Sequence, residues 1–417
     1  MKKILIEGGA RLLGEVHISG AKNSVLPLIA ATLLTDGVSI IDDSPWLSDV
    51  DIMCRVLTHL GGATTFENHK LFIDTSNIYT SEPPGELVRK MRASFLIMGP
   101  LLARTGLVKM CLPGGCAIGS RPIDLHLKGF EAMGAQISIG HGLIEAKAPR
   151  LYGARIYLDF PSVGATENLI MAATLAEGQT VIDNAAHEPE IIDLANMLNA
   201  MGANIKGAGT NTIRVEGVSS LAPAQHTVIP DRIEAASFLA MAAATGGELI
   251  LNNVISEHLQ PLTAKLLEAG VYLETGYDSI HILGNPEIQA VDIKTLPYPG
   301  FPTDAQAQFM ALLSVARGNS VITETVFENR FMHALELAKM NADIAIDGNS
   351  AIVSGVSHLD GAIVQATDLR AGAAMIIAAQ MARGVTEIQG IHHIERGYEN
   401  LPEKLAQIGT RIKVVDD

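Results

Sequence analysis

Two kinds of hydrophobic pattern alternate along this chain in a fixed order. Spaced apolar residues such as Ile191, Leu194, Ala195, Leu198 and Met201, or Leu262, Leu266 and Leu267, predict helices with one apolar face. Short β-prone runs such as Thr180–Ile182, Glu248–Leu251 and Ser320–Ile322 predict strands, each close behind a glycine. The full phrase is an Ala-rich helical run, a glycine, a strand, an amphipathic helix, then a turn into another strand, and it occurs six times. Its first glycines are Gly37, Gly106, Gly178, Gly247, Gly318 and Gly384. Its second turns are Gly62-Ala63, Gly134-Ala135, Gly202-Ala203, Gly270-Val271, Asn341-Ala342 and Gly409-Thr410. Both series step by about 70 residues and stay in phase, as repeats of one supersecondary unit do. The second turn reads as a left-handed helix C-cap, a conformation that glycine adopts freely and asparagine tolerates, so Asn341 can serve in the fifth copy.

Ser219 to Pro230 has linker composition and divides the copies three and three. The strands Ile4–Ile6 and Val16–Ile18 precede the first helix and are expected to complete the second half beside Arg411–Val415. The expected fold is α/β, with two similar domains of three repeated βα units each: residues 22–229, and residues 1–21 with 230–417. If the halves face each other, their helix N-termini point into a shared cleft, where ligands commonly bind.

Composition narrows the function. At 417 residues the chain exceeds what one hydrophobic core usually serves, and 48% hydrophobic content argues against disorder. The basic start is followed by too few apolar residues for a signal peptide, and no apolar run reaches the length of a membrane span, so a cytoplasmic protein is expected. A formal net charge of −15 argues against nucleic acid and anionic membrane as partners. Cys54, Cys111 and Cys116 form no CxxC pair, so neither a disulfide framework nor a zinc site is indicated. Cys54 falls in an amphipathic helix and Cys111 in an apolar strand, where thiols are usually core residues.

Against this acidic background the placed cations stand out. Lys22, Arg92, Arg232 and Arg370 lie near the starts of Ala-rich helices, where the macrodipole disfavours positive charge, so each calls for an anionic partner. Ser, Thr and Asp at the same starts also suit ordinary capping. Pro113-Gly114-Gly115-Cys116-Ala117-Ile118-Gly119-Ser120-Arg121-Pro122 places a thiol five residues from a guanidinium on a glycine-rich segment. Residue chemistry alone leaves two readings: a surface turn with an incidental cysteine, or an acid or nucleophile beside an anion clamp.

That loop, together with Ser19-Gly20-Ala21-Lys22-Asn23-Ser24, Ser162-Val163-Gly164-Ala165-Thr166, Pro302-Thr303-Asp304, Phe327-Glu328-Asn329-Arg330-Phe331 and Asp368-Leu369-Arg370, resembles the UDP-N-acetylglucosamine enolpyruvyl transferases from end to end. The resemblance implies an inside-out α/β barrel. It also implies transfer of the enolpyruvyl group of phosphoenolpyruvate to the 3′-hydroxyl of UDP-N-acetylglucosamine, the committed step of peptidoglycan synthesis. Cys116 would be the acid that protonates the methylene carbon, and Asp304, which by itself reads as a helix cap, the base on the sugar hydroxyl. Lys22 and Arg396 join them in catalysis. Lys22, Arg121 and Arg396 would hold the phosphate of phosphoenolpyruvate and Arg330 and Arg370 its carboxylate, with Asn23 also contacting this substrate, although a surface salt bridge is the plain reading of any one arginine. The sugar nucleotide would meet Asn23, Arg92, Arg121, Pro122, Ile123, Asp124, Leu125, His126, Ser162, Val163, Gly164, Asp304 and Val326. Phe160 stands where other members carry Lys or Arg, so no side-chain contact is expected there. The resemblance implies no metal, no cofactor, no obligate protein partner and a monomer. Two rivals remain: the enolpyruvylshikimate-phosphate synthases, which share fold and donor but lack the cysteine loop, and a non-catalytic sugar-nucleotide-binding repeat protein.

Overall fold

The computed structural model describes residues 2–114, 123–285 and 287–416. They fall into two compact units, one built from the chain up to Ser19 and from Pro230 onward, the other from the residues between. Each has its own core, one drawing on residues from Ile4 to Ile18 and Ala235 to Ile408, the other on residues from Ala21 to Val228.

The Ala-rich runs form the inner layer. In the unit that includes the C-terminal half, the helices Arg232–Thr245, Thr303–Leu313 and Leu369–Met381 pack against one another and are buried along most of their length. Small side chains on every face allow this close approach, and a helix apolar all round must lie inside. In the other unit Lys22–Ala31, Met98–Thr105 and Val163–Ala173 take the inner positions. The second copy departs from the pattern, entering its inner helix through the 3-10 segment Arg92–Ile97. Gly99 shows how tight the packing is, since a Cβ there would come within 2.3 Å of the Asn168 carbonyl oxygen.

The strands form the outer layer, as five four-stranded sheets and one three-stranded sheet. In the fourth copy Glu248–Asn252 pairs in parallel with Leu13–His17 and antiparallel with Ser279–Leu283, so Leu251 lies opposite Val16 on one side and Ile280 on the other. Leu249, Leu251, Ile280 and Ile282 are fully buried beneath the sheet while Glu248 and Ile250 face outward, the alternation a one-sided sheet requires. The N-terminal strand Lys2–Glu7 completes the sixth copy by pairing antiparallel with both Val385–Gln389 and Arg411–Asp416.

Three details differ from the sequence expectation. The left-handed C-cap of the first copy is Gly61 (φ 112°) rather than Gly62, and in the fourth copy the inner helix ends at Gly246 (φ 58°), one residue before the Gly247 of the first series. Asn341 does take it, at φ 73°. The supposed linker contains the strand Gln225–Thr227, which pairs in parallel with Val38–Asp42 and completes the first sheet. Proline-flanked and polar, it gave no strand signal.

Candidate active site

Two neighbouring helix starts and one loop build the most charged cluster among the described residues. Asp304 is the second residue of Thr303–Leu313, and Arg370 is the second of Leu369–Met381, whose start is capped by Asp368 through bonds of 2.8 and 3.1 Å from the Arg370 and Ala371 N–H groups. Asp304 Oδ1 accepts from Arg330 Nη2 at 2.9 Å, and Oδ2 accepts from Arg370 Nη2 at 2.9 Å. Both arginine side chains are 5% exposed, whereas that of Asp304 is 26% exposed. The carboxylate is therefore the solvent-facing member of the group.

Burial works against the charge on Arg370, but the field of Asp304, helped by Tyr398 and Asp231, outweighs it and raises the guanidinium pKa. Tyr398 is buried beside it and meets Ser237 Oγ at 2.7 Å, and burial raises its phenol pKa despite the arginine. The Asp304 backbone is also held, its carbonyl accepting from Gln308 Nε2 at 2.8 Å. The Arg330 guanidinium lies 5.5 Å from the centre of the Phe327 ring. Two arginines converging on one half-buried carboxylate can bind an external carboxylate in its place, since they present donors in a fork that fits such a group. Arg396 ends the turn Ile391–Arg396 and, after burial and His392, contributes to lowering the pKa of His393. Val326 lies half-buried in the loop leading to Arg330.

The other unit holds two further groups of predicted residues. Lys22, first residue of its helix, pairs with Asp49 Oδ2 at 2.6 Å, and both side chains are largely buried. Asp49 is thus one internal anion that its position calls for, and Asn23 beside it is exposed. Ser162 caps Val163–Ala173, its hydroxyl accepting from the Ala165 N–H at 3.3 Å, and next to this start lies His126. A Cβ added to Gly164 would be 3.4 Å from His126 Cε1, in ordinary van der Waals contact with the buried imidazole.

Asn168 sets the state of that imidazole. Its Oδ1 accepts from the Gly99 N–H at 2.7 Å, and its amide Nδ2 donates to the Phe95 carbonyl at 2.9 Å and meets His126 Nδ1 at 3.1 Å. With the amide as donor, Nδ1 must accept and Nε2 carries the proton. Burial, reinforced by Arg92, pushes the His126 pKa down to about 3, so the ring is neutral. Phe95 packs edge-on against it with centroids 5.0 Å apart. Asp124 and Leu125 lie in the first turn of Asp124–Ala132, just after Ile123.

Cys116, Arg121 and Pro122 lie outside the described residues. Cys54 and Cys111 are buried, as expected of core thiols, and burial pushes the Cys54 pKa up to about 12. Sequence reasoning missed Asp49, Asn168 and Tyr398. Asn168 had a signal, since a polar residue inside an apolar inner helix must find partners. Asp49 reads as an ordinary acidic residue in a first helical turn.

Known proteins match this chain over its whole length. The sequence model of the EPSP synthase (3-phosphoshikimate 1-carboxyvinyltransferase) family matches residues 6–405. A UDP-N-acetylglucosamine 1-carboxyvinyltransferase of Carboxydothermus hydrogenoformans is 59% identical over 419 residues, covering 100% of both chains. One of Caldanaerobacter subterraneus is 58% identical, covering 98% of this chain and 99% of that one. Among solved structures, the enolpyruvyl transferase NikO of Streptomyces tendae superposes with a TM-score of 0.90 at 25% identity over 99% of each chain. EPSP synthase of Acinetobacter baumannii does so with 0.77 at 19% identity over 100% of each, a likeness of fold alone. The chain therefore belongs to the EPSP synthase family of enolpyruvyl transferases and, within it, to the UDP-N-acetylglucosamine 1-carboxyvinyltransferases.

Proposed function

We propose that this chain transfers the enolpyruvyl group of phosphoenolpyruvate to the 3′-hydroxyl of UDP-N-acetylglucosamine with release of phosphate. Identity of 59% across 100% of both chains to a protein named for this reaction carries the reading. The Asp304 carboxylate held by two buried arginines supplies suitable chemistry.

The reaction is an addition followed by an elimination. Asp304 takes the proton of the sugar hydroxyl while its oxygen bonds to C2 of phosphoenolpyruvate, and Cys116 delivers a proton to C3. The resulting intermediate carries both the sugar ether and the phosphate on C2. Loss of a proton from C3 and departure of phosphate then restore the double bond. Arg330 and Arg370 suit the donor's carboxylate, and Lys22, Arg121 and Arg396 its phosphate, where developing negative charge rewards fixed cations, with Asn23 as a further contact to the donor. Arg92, Arg121, Pro122, Ile123, Asp124, Leu125, His126 and Ser162–Gly164, with Asn23, Asp304 and Val326, would contact the sugar nucleotide. His126 as an Nε2–H donor remains neutral at any working pH.

No helix among the described residues is long and apolar enough to cross a membrane, and none of their His, Cys, Asp and Glu side chains cluster as a metal site. Independently of those absences, what the resemblance implies leads us to propose a cytoplasmic monomer that works without metal or cofactor. Phosphate release should require both phosphoenolpyruvate and UDP-N-acetylglucosamine. Release with shikimate 3-phosphate in place of the sugar nucleotide would move the assignment to the sister activity, and release with neither acceptor would leave the non-catalytic reading.

A further inference from the structure

The repeats carry an internal control. In the first, third, fourth and sixth copies the residue just after the central strand is left-handed: Asp43 (φ 53°), Asn184 (56°), Asn253 (60°) and Gly390 (74°). In two of them the asparagine ties the turn to the neighbouring parallel strand, Asn184 Nδ2 donating to the Leu158 carbonyl at 2.7 Å and Asn253 Nδ2 to that of Ile18 at 2.8 Å. That is sufficient to close the turn.

The fifth copy does something else. Its central strand Asn319–Thr323 is followed by Glu324, 2% exposed and without the positive φ. Oε1 accepts from Thr295 Oγ1 at 2.7 Å, the Val326 N–H at 2.8 Å and the Phe327 N–H at 3.3 Å, and Oε2 accepts from Thr303 Oγ1 at 2.8 Å. Burying a carboxylate is expensive unless donors surround it, and four do. A turn needing only closure could use the left-handed residue found in four of its sister copies.

The identity of the bonded groups supplies the reason. Thr303 begins the helix whose next residue is Asp304, and Val326 and Phe327 begin the loop whose fourth residue after Val326 is Arg330. Phe327 also lies against the Arg330 guanidinium. One buried carboxylate therefore grips both carriers of the 2.9 Å Asp304–Arg330 pair. We propose that Glu324 is a positioning residue that fixes Asp304 relative to Arg330, so that the base stands in register with the carboxylate-binding guanidinium. This rests on the reading of Asp304 given above.

The test compares Thr303→Val, which deletes one bond to Glu324 at nearly constant shape, with Thr303→Ser, which restores it, and with Asn253→Gly as the matched change in the fourth copy. Thr303→Val is expected to lower kcat about tenfold or more, as misplacement of a reacting group does, with KM for the sugar nucleotide within about twofold. Thr303→Ser should recover most of that rate, and Asn253→Gly should lower the melting temperature with kcat unchanged. The side-chain NMR signals of Arg330 should move in Thr303→Val and Glu324→Ala but not in Asn253→Gly. Wild-type kcat in Thr303→Val, or equal rate losses in Thr303→Val and Asn253→Gly, overturns the proposal. If the wild-type chain releases no phosphate from the two substrates, the function assigned above fails, and unmoved Arg330 signals then separately reject the positioning role.

Discussion

Two buried polar clusters in this protein solve the same electrostatic problem in opposite ways. Around Asp304, Arg330 and Arg370 sit almost out of reach of water with a carboxylate at 2.9 Å from each, and on Arg370 the field of that carboxylate outweighs the burial that works against its charge. Around Asn168, His126 is equally desolvated but faces Arg92 and a neutral amide, and its pKa falls to about 3. Burial alone therefore does not decide which way the pKa of a basic group moves; the partner does. In the function proposed above, the first cluster would offer its cations to an anionic ligand and the second a neutral N–H donor.

Removing the anion from the first cluster should have the largest effect. Asp304→Asn preserves shape but leaves two buried guanidiniums facing an amide, and turnover is expected to fall by about 10²–10⁴, the range for a general base, in a steady-state phosphate assay. Deleting the amide from the second cluster is a stability experiment instead. Asn168→Leu strands the Gly99 N–H and the Phe95 carbonyl in the core and should cost about 2–3 kcal/mol in denaturant unfolding. Asn168→Asp would convert the second cluster into a likeness of the first: a carboxylate beside Nδ1 should raise the His126 pKa by about 1–3 units in an NMR titration. An unchanged pKa there would break the comparison.

A smaller effect concerns acid. Unfolded His126 takes up its proton near pH 6.5 and the folded ring only near 3, so acidification between those values favours the unfolded chain. Buried Glu167 and Glu234, with raised pKa values, titrate the opposite way, contributing stability below their unfolded value of 4.5 that is lost as pH rises. The informative quantity is thus the stability of wild type relative to His126→Asn, which should fall as the pH is lowered from 6.5. Least of all, Asp368→Ala should cost about 1 kcal/mol of thermal stability, the usual value of an N-cap, and loosen the helix start that carries Arg370.

Much of the fold was legible because its signals are local. A helix that ends in the left-handed conformation calls for glycine or asparagine at that position, and this requirement marks the copies to within one residue, Gly61 and Gly246 being the displaced cases. The strand Gln225–Thr227 escaped because its pairing with Val38–Asp42 supplies order that its own residues do not. The same distinction holds at the candidate site. Asp304, Arg330 and Arg370 could be picked out through motifs, whereas Asp49, Asn168 and Glu324 have roles defined by partners far away in sequence. Asn168 touches Phe95, Gly99 and His126, which only the packed helices bring within reach.

The most direct test of the proposed activity is the structure of the product. Incubation with ¹³C-labelled phosphoenolpyruvate and UDP-N-acetylglucosamine, followed by NMR assignment of the new carbon–oxygen bond, should show a carboxyvinyl ether on the sugar 3′-oxygen and an equal amount of inorganic phosphate. Unchanged phosphoenolpyruvate, or a label attached to any other hydroxyl, would contradict it.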